Sequence, residues 1–206
     1  MGTETVPLHR GKIDRKGKTL GMWFFLFTEL LFFGGLFLLY SVYRYRFSDA
    51  FHKAASGENL VLGTLNTFLL LTSSFTMTLA IAAIKRGRRN HSVILQSATI
   101  ALGIAFLIIK FSEWGEKISA GIYPKSPVLK GLGSGEELFF GLYYVMTGLH
   151  GLHVFVGIIV IAVMTGFTLR RVIREDNPVR LENTGLYWHF VDIVWLYLFP
   201  LFYLVT

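Results

Sequence analysis

Cysteine is absent from the 206 residues of this chain, which excludes disulfides, thiolate metal sites and cysteine nucleophiles. Charge is scarce as well: Asp, Glu, Lys and Arg make 16% of the residues and hydrophobic types 53%, with a mean hydropathy of +0.53. That much apolar material exceeds what a water-soluble core of this length needs, so the chain reads as an integral membrane protein. Proline is limited to five residues against 19 Phe and nine Tyr, and the alternating pattern of a membrane β-barrel is missing. The expected fold class is therefore all-α. The net charge of +7 lies in short basic runs between apolar stretches. That distribution points to membrane orientation, with no nucleic acid expected as a partner.

What is present is a series of five apolar segments, 20–43, 61–84, 91–111, 138–169 and 184–205. Each reaches the ~20 residues that carry a helix across the hydrocarbon of a bilayer. The expected organisation is a basic cytoplasmic tail over residues 1–19, containing "RGKIDRKGK", and a bundle of five transmembrane helices over 20–206. The first segment is too long and too aromatic for a cleavable signal peptide, so it is expected to be retained. With the N-terminus inside, the inner ends and loops carry thirteen Lys and Arg and the outer ones six. This asymmetry puts the N-terminus inside and the C-terminus outside. The connection over 112–137 is then external, and in it Ser134 and Glu137 have capping-box spacing ahead of the fourth helix. No internal repeat of the kind seen in many transporters is visible.

Chemistry, if any, lies in the ionisable residues of the apolar segments, because a charge at bilayer depth costs at least ~2.5 kcal/mol and needs a partner. Glu29 in "FTELLFFGGLF" stands ~14 Å from the inner end at the helical rise. A proton-handling role and a purely structural one both fit it. Lys110 and Glu113, three apart near the outer end of the third helix, read as a snorkelling pair at the interface. His150 and His153 share one face of the fourth helix, a spacing compatible with haem or copper ligation or with interhelical hydrogen bonding. Three membrane histidines are a thin supply for a metal, so none is expected. His189 and Asp192 stand in "YWHFVDIVWLYLFPLFYL" of the fifth helix. Comparing depths along the helices predicts one buried polar cluster of Glu29, His150, His153, His189 and Asp192. In it Glu29 pairs with His153, while Asp192 accepts from His150, His189 or an indole, framed by Trp188 and Trp195. Arg88, Arg89, Arg170 and Arg171, at the inner ends of the second and fourth helices, either hold phospholipid headgroups or only set topology.

Four motifs, "FTELLFFGGLF" from Phe27, "LNTFLLLTSSFTM" from Leu65, "TGLHGLHVFVG" from Thr147 and "YWHFVDIVWLYLF" from Tyr187, resemble subunit III of the haem-copper terminal oxidases, in that family's order. The resemblance covers about residues 19–205. It implies an accessory subunit that binds no haem or copper itself, packs against subunits I and II that do, supports sustained proton uptake and holds structural phospholipid. It also implies a multi-pass protein of a bacterial cytoplasmic membrane. Members often have seven helices, the first two walling a lipid cleft; this chain resembles a five-helix form that starts at the equivalent of the third. By this resemblance Glu29 corresponds to the family's membrane carboxylate, with Thr28 where serine is common. His150 and His153 correspond to the two histidines of the fourth-helix motif. Trp188, His189, Asp192 and Trp195 correspond to the last motif, with Glu182 seven residues before its histidine. Arg170 and Arg171 lie about one turn beyond the position of a lipid-binding arginine. An accessory subunit of a nitric oxide reductase has the same length and motifs and stays open as a reading, as does a haem-binding membrane cytochrome or proton-coupled transporter.

Overall fold

The computed structural model describes residues 8–204. Its elements are α1 (Leu8–Arg46), α2 (Ser48–Ser56), α3 (Leu60–Lys85), α4 (Arg89–Ser119), α5 (Pro127–Leu132), α6 (Ser134–Leu169) and α7 (Val179–Phe199), which ends in a π-helical turn, Pro200–Leu204. Five of these helices are long and apolar enough to cross a membrane: α1 from Thr19, α3, α4, α6, and α7 with its final turn. The chain is an all-α multi-pass membrane protein.

Four spans form the core. α3 packs on α4 and α7, and α6 packs on the same two, so the four close into a ring; α1 lies outside it against α6 and α7. The sequence of α1 accounts for that position. Among its described side chains the buried ones are Leu26, Phe33 and Tyr40, seven apart, each preceded by four positions by a half-buried residue, Met22, Glu29 or Leu36. That is one narrow seam with an under-wound coiled-coil period, which suits a single packed edge and leaves the remaining face to lipid. The core helices approach more closely around Trp188. A Cβ at Gly157 would stand 2.8 Å from its ring, and one at Gly103 2.9 Å, so the indole is seated between backbones that only glycine leaves bare.

The boundaries differ from those expected in ways that matter for the site. α1 is helical from Leu8, so most of the expected tail is continuous with the first span; residues 1–7 lie outside the described residues. α4 runs on to Ser119, eight residues past the expected 111, and α5 occupies part of the expected external loop. α7 starts at Val179 rather than 184, behind Pro178. The capping box expected at Ser134 and Glu137 does not form. Gly133, at φ 130°, is the N-cap, and Ser134 is already helical, with Glu136 and Glu137 in the first turn. Their negative charge meets the helix N-terminus directly. α3 is capped by side chain: Asn59 accepts from the amides of Val61 and Leu62 at 3.1 and 3.2 Å.

α3 and α6 end in the same closure. The Arg88 amide donates to the Ala83 carbonyl and the Gly87 amide to Ile84. At α6 the Val172 amide donates to Phe167 and the Arg171 amide to Thr168. Each pattern requires a left-handed residue just past the helix, usually glycine. Gly87 (φ 70°) meets that preference, whereas Arg171 (φ 59°) takes the same conformation with a side chain.

Candidate functional site

The polar residues of the spans fall into layers. Near the end bearing α2 and α5, Lys110 and Glu113 are 2% and 3% exposed, inside the ring of helices. They are not the snorkelling interface pair that their spacing suggested, because α4 continues past them and α6 and the π-helical turn cover them. Lys110 Nζ donates to Glu113 Oε2 at 3.2 Å, to the Tyr143 hydroxyl at 2.9 Å and to the Tyr203 hydroxyl. Both hydroxyls in turn donate to Glu113 Oε1. The ammonium also lies 4.7–5.4 Å from the ring centroids of Tyr143, Tyr203 and Trp195. Lys110 and Glu113 thus share two phenol hydroxyls that tie α4, α6 and the last turn together. One step further out, Lys117 stands 2.8 Å from both oxygens of Glu58, in the link between α2 and α3. Burial pushes the Glu58 carboxyl above the usual carboxylate range, with Lys117 opposing it. Lys53 of α2 pairs with Glu136 at 2.9 Å.

In the middle of the membrane the expected single cluster separates into parts. Glu29 Oε2 and His153 Nε2 are 3.1 Å apart, and His153 Nδ1 lies 2.7 Å from the Leu149 carbonyl, so α1 is joined to α6 at that depth. His189 turns to α3 instead, with Nδ1 2.6 Å from Ser74 Oγ and Nε2 3.3 Å from Thr78 Oγ1. The two indoles also go to α3: Trp188 donates to Ser73 and Trp195 to Thr67, each at 3.0 Å. Asp192 therefore receives none of the hydrogen bonds expected from His150, His189 or an indole. It is 4% exposed, neither oxygen makes a hydrogen bond among the described residues, and the Ser74 hydroxyl near it is committed to His189. His150 is likewise without a hydrogen bond; its ring lies against Phe106 and Trp195, at 5.5 and 5.3 Å between centroids. The reason is geometric. The faces of α7 that carry Asp192 and His189 look toward α3, whose row of small hydroxyls satisfies everything except the carboxylate.

No group of three or more His, Asp or Glu among the described residues is placed to hold a metal. His150 is wedged between aromatic rings, and His153 has both nitrogens engaged within the chain.

A further polar layer escaped the sequence reading. Gln96 Nε2 donates to Ser92 Oγ at 3.1 Å and to Thr168 Oγ1 at 3.3 Å, while Thr165 Oγ1 donates to Gln96 Oε1 at 3.0 Å. Ser92 donates to the Ala80 carbonyl. The signal was Ser92, Gln96 and Thr99 on one face of an otherwise apolar helix. Lys85 pairs with Glu182 at 2.7 Å, closing α3 on α7 at the same end.

Beyond that layer, the α3–α4 and α6–α7 turns enclose two adjoining concavities of about 460 and 590 Å3 that share Gly87, Arg89 and Arg171. Arg88 and His91 line one, Arg174 and Glu175 the other. Arg170 lines neither; Arg174, which the sequence did not single out, does. On the flank, α1 and α7 leave an apolar groove of about 440 Å3 lined by Phe27, Phe33, Phe190, Ile193, Tyr197 and others, with His189 on its wall.

Residues 3–206 match the family Cytochrome c oxidase subunit III. The chain is 33% identical over 202 residues to the cytochrome c oxidase subunit 3 of Alkalihalophilus pseudofirmus, covering 97% of this chain and 93% of that one. It is 28% identical over 199 residues to the cytochrome bo(3) ubiquinol oxidase subunit 3 of Pseudomonas aeruginosa, with 93% and 87% coverage. It is also 31% identical over 192 residues to the heme-copper oxidase subunit I+III of Aeropyrum pernix, covering 89% of this chain and 22% of that longer one. Five apolar helices, the four motifs in order and a match along nearly the whole length agree: the chain belongs to the subunit III family and is an accessory subunit III of a haem-copper oxidase.

Proposed function

We propose that this subunit works in a proton-pumping terminal oxidase of a bacterial cytoplasmic membrane, with its N-terminus inside, as a rigid partner of subunits I and II. In this reading haem and copper reside in those partners. The chain itself maintains complex stability, holds phospholipid and sustains proton uptake. The observation that carries the accessory role is the pairing of two of its membrane-embedded carboxylates with basic side chains of the same chain. Lys110 is bound to Glu113, and Glu29 to His153, inside the chain. Such pairs hold helices to one another. The fused relative, in which a subunit I and a subunit III share one chain by name, supports subunit I as the neighbour. The apolar groove between α1 and α7 fits an acyl chain, and the basic turns fit headgroup phosphate.

The test is purification through a tag on this chain in mild detergent. Oxidase subunits I and II, with the Soret absorption of haem, are expected to co-purify; a stable lone chain without them would overturn the reading. Removal of the subunit from the complex is expected to leave initial oxygen reduction intact while activity decays faster over repeated turnovers. Undiminished durability would remove the sustaining role.

A further inference from the structure

The geometry points to a buried water site inside the four-helix ring, where about two water molecules bridge Asn66 of α3, His150 of α6 and Asp192 of α7. This internal site is independent of the accessory role, of lipid and of which end faces the cytoplasm.

Asn66, His150 and Asp192 are 0%, 1% and 4% exposed, and none of their side-chain nitrogens or oxygens makes a hydrogen bond among the described residues. They supply six of the nine buried side-chain atoms in that condition; two of the other three belong to Glu58 and Glu136, whose carboxylates each pair with a lysine. Elsewhere in the ring, Ser73, Gln96 and Lys110 are bonded within the chain. The unmet groups are gathered at one depth. Trp188 reaches Ser73 and Trp195 reaches Thr67, so α3 and α7 run antiparallel. Asp192, between the two indoles, is level with the stretch of α3 from Thr67 to Ser73, and Asn66 stands at the end of that stretch. Asn66 shares with Leu70 and Ser73 the buried face of α3 that meets α7. From α6, the His150 ring lies 5.3 Å from the ring of Trp195. The three side chains therefore fall within about one helical turn, ~6 Å, along the bundle axis.

The chemistry of the three groups selects the ligand. A carboxylate only accepts, an imidazole brings one donor and one acceptor, and a primary amide brings two donors and an acceptor. Direct bonds between them are not made: His150 faces the rings of Phe106 and Trp195, and the Ser74 hydroxyl near Asp192 is engaged with His189. A bridging ligand must both donate and accept, which water does. An alkali cation would use the oxygens of Asp192 and Asn66 and leave the amide and imidazole donors unmet, and an apolar guest would satisfy none. Six polar atoms at about three hydrogen bonds per buried water call for about two molecules. Those waters tie α6 to α3 and α7 at a depth where His150 otherwise meets only aromatic faces.

The experiment is X-ray radiolytic footprinting of the assembled complex, purified through a tag on this chain and held in 18O-labelled water. Radicals born from a bound water oxidise the side chains beside it. Trp195 and Met77 are both 0% exposed, and Met77, with its readily oxidised thioether, stands ~10 Å along α3 from the level of Asp192. Trp195 is expected to take up label about tenfold or more faster than Met77, because water lies against one and not the other. Asp192→Asn, whose amide also bonds to water, should keep that labelling. Asn66→Leu/His150→Phe/Asp192→Leu, which removes all six polar atoms, should bring Trp195 down to the rate of Met77. The wild-type comparison decides alone if the triple variant does not assemble. Trp195 labelled no faster than Met77 overturns the site, and so does unchanged Trp195 labelling in the triple variant, which would trace the radicals to bulk solvent. A dry wild type whose melting temperature rises with sodium or potassium, with the rise lost in Asp192→Asn, overturns water in favour of an alkali cation.

Discussion

The ammonium of Lys110 is held by a carboxylate, two phenol oxygens and three aromatic faces, all inside the protein. Such a pair contributes little by existing and much by not being broken: removing one partner leaves a buried charge alone, at a cost of about 3–5 kcal/mol. Lys110→Met is therefore expected to release this subunit from the purified complex at clearly lower temperature than wild type. Lys110→Met/Glu113→Gln, which removes both charges, should recover most of that loss; equal damage from single and double variants would show that packing, not charge, is decisive. Asp192 poses the opposite case. Because no donor among the described residues is bound to it, Asp192→Asn orphans nothing there, and assembly is expected at close to wild-type yield. A complex lost on that substitution would mean that a partner subunit supplies the missing donor. Glu58 adds a pH dependence. Its folded pKa is raised by burial, so its stabilisation is fully present below the ordinary carboxylate value of about 4.3 and is lost as pH rises through the raised value. Melting curves of the Glu58→Gln complex should therefore fall less than those of wild type as pH rises from the ordinary carboxylate value through the raised one, and run parallel to them above it.

At the scale of elements, the ends of the helices decide the geometry of the site. Arg171 occupies a left-handed position at a conformational cost of about 1–2 kcal/mol for a residue with a side chain. Arg171→Gly is thus expected to leave the subunit as heat-stable as wild type or more so, while reducing positive charge at the turn. A marked loss of stability would show that the guanidinium, and not only the backbone, holds α6 to α7. The end of α7 has its own device. Pro200 cannot donate to the preceding turn, so the helix widens into its π-helical close. This turn offers the Leu201 carbonyl to the Tyr40 hydroxyl and carries Tyr203 to Lys110. One irregular turn therefore anchors both α1 and the charged core.

For the whole molecule, the ring of α3, α4, α6 and α7 is tied at one end by the Lys110 network and at the other by Gln96 and its hydroxyl partners, with Trp188 and Trp195 between. A body fixed at both ends and filled by indoles suits a subunit that braces a neighbour. Its orientation can be checked directly. Reporter fusions after Arg86 and after Arg174 are expected to report the cytoplasm, and one within residues 120–126 the exterior; the reverse pattern would invert every assignment of inner and outer end.

The sequence alone determined that the chain spans the membrane five times, because the length and apolarity of a span are local properties that no tertiary contact revises. It also determined the family, through motifs whose order is independent of folding, and the pairing depth of Glu29 and His153, since both lie on regular helices of known rise. Rotation and helix length were decided elsewhere. Whether Asp192 looks toward His150 or toward the hydroxyls of α3 depends on a turn of α7 about its own axis. That angle is set by how Trp188 seats between Gly103 and Gly157. Lys110 looked like a residue at an interface because α4 was expected to stop at 111; eight further residues of helix put it in the core. The basin of Arg89, Arg171 and Arg174 joins two turns about eighty positions apart in the chain. Only the closing of the helical ring brings those charges to one place.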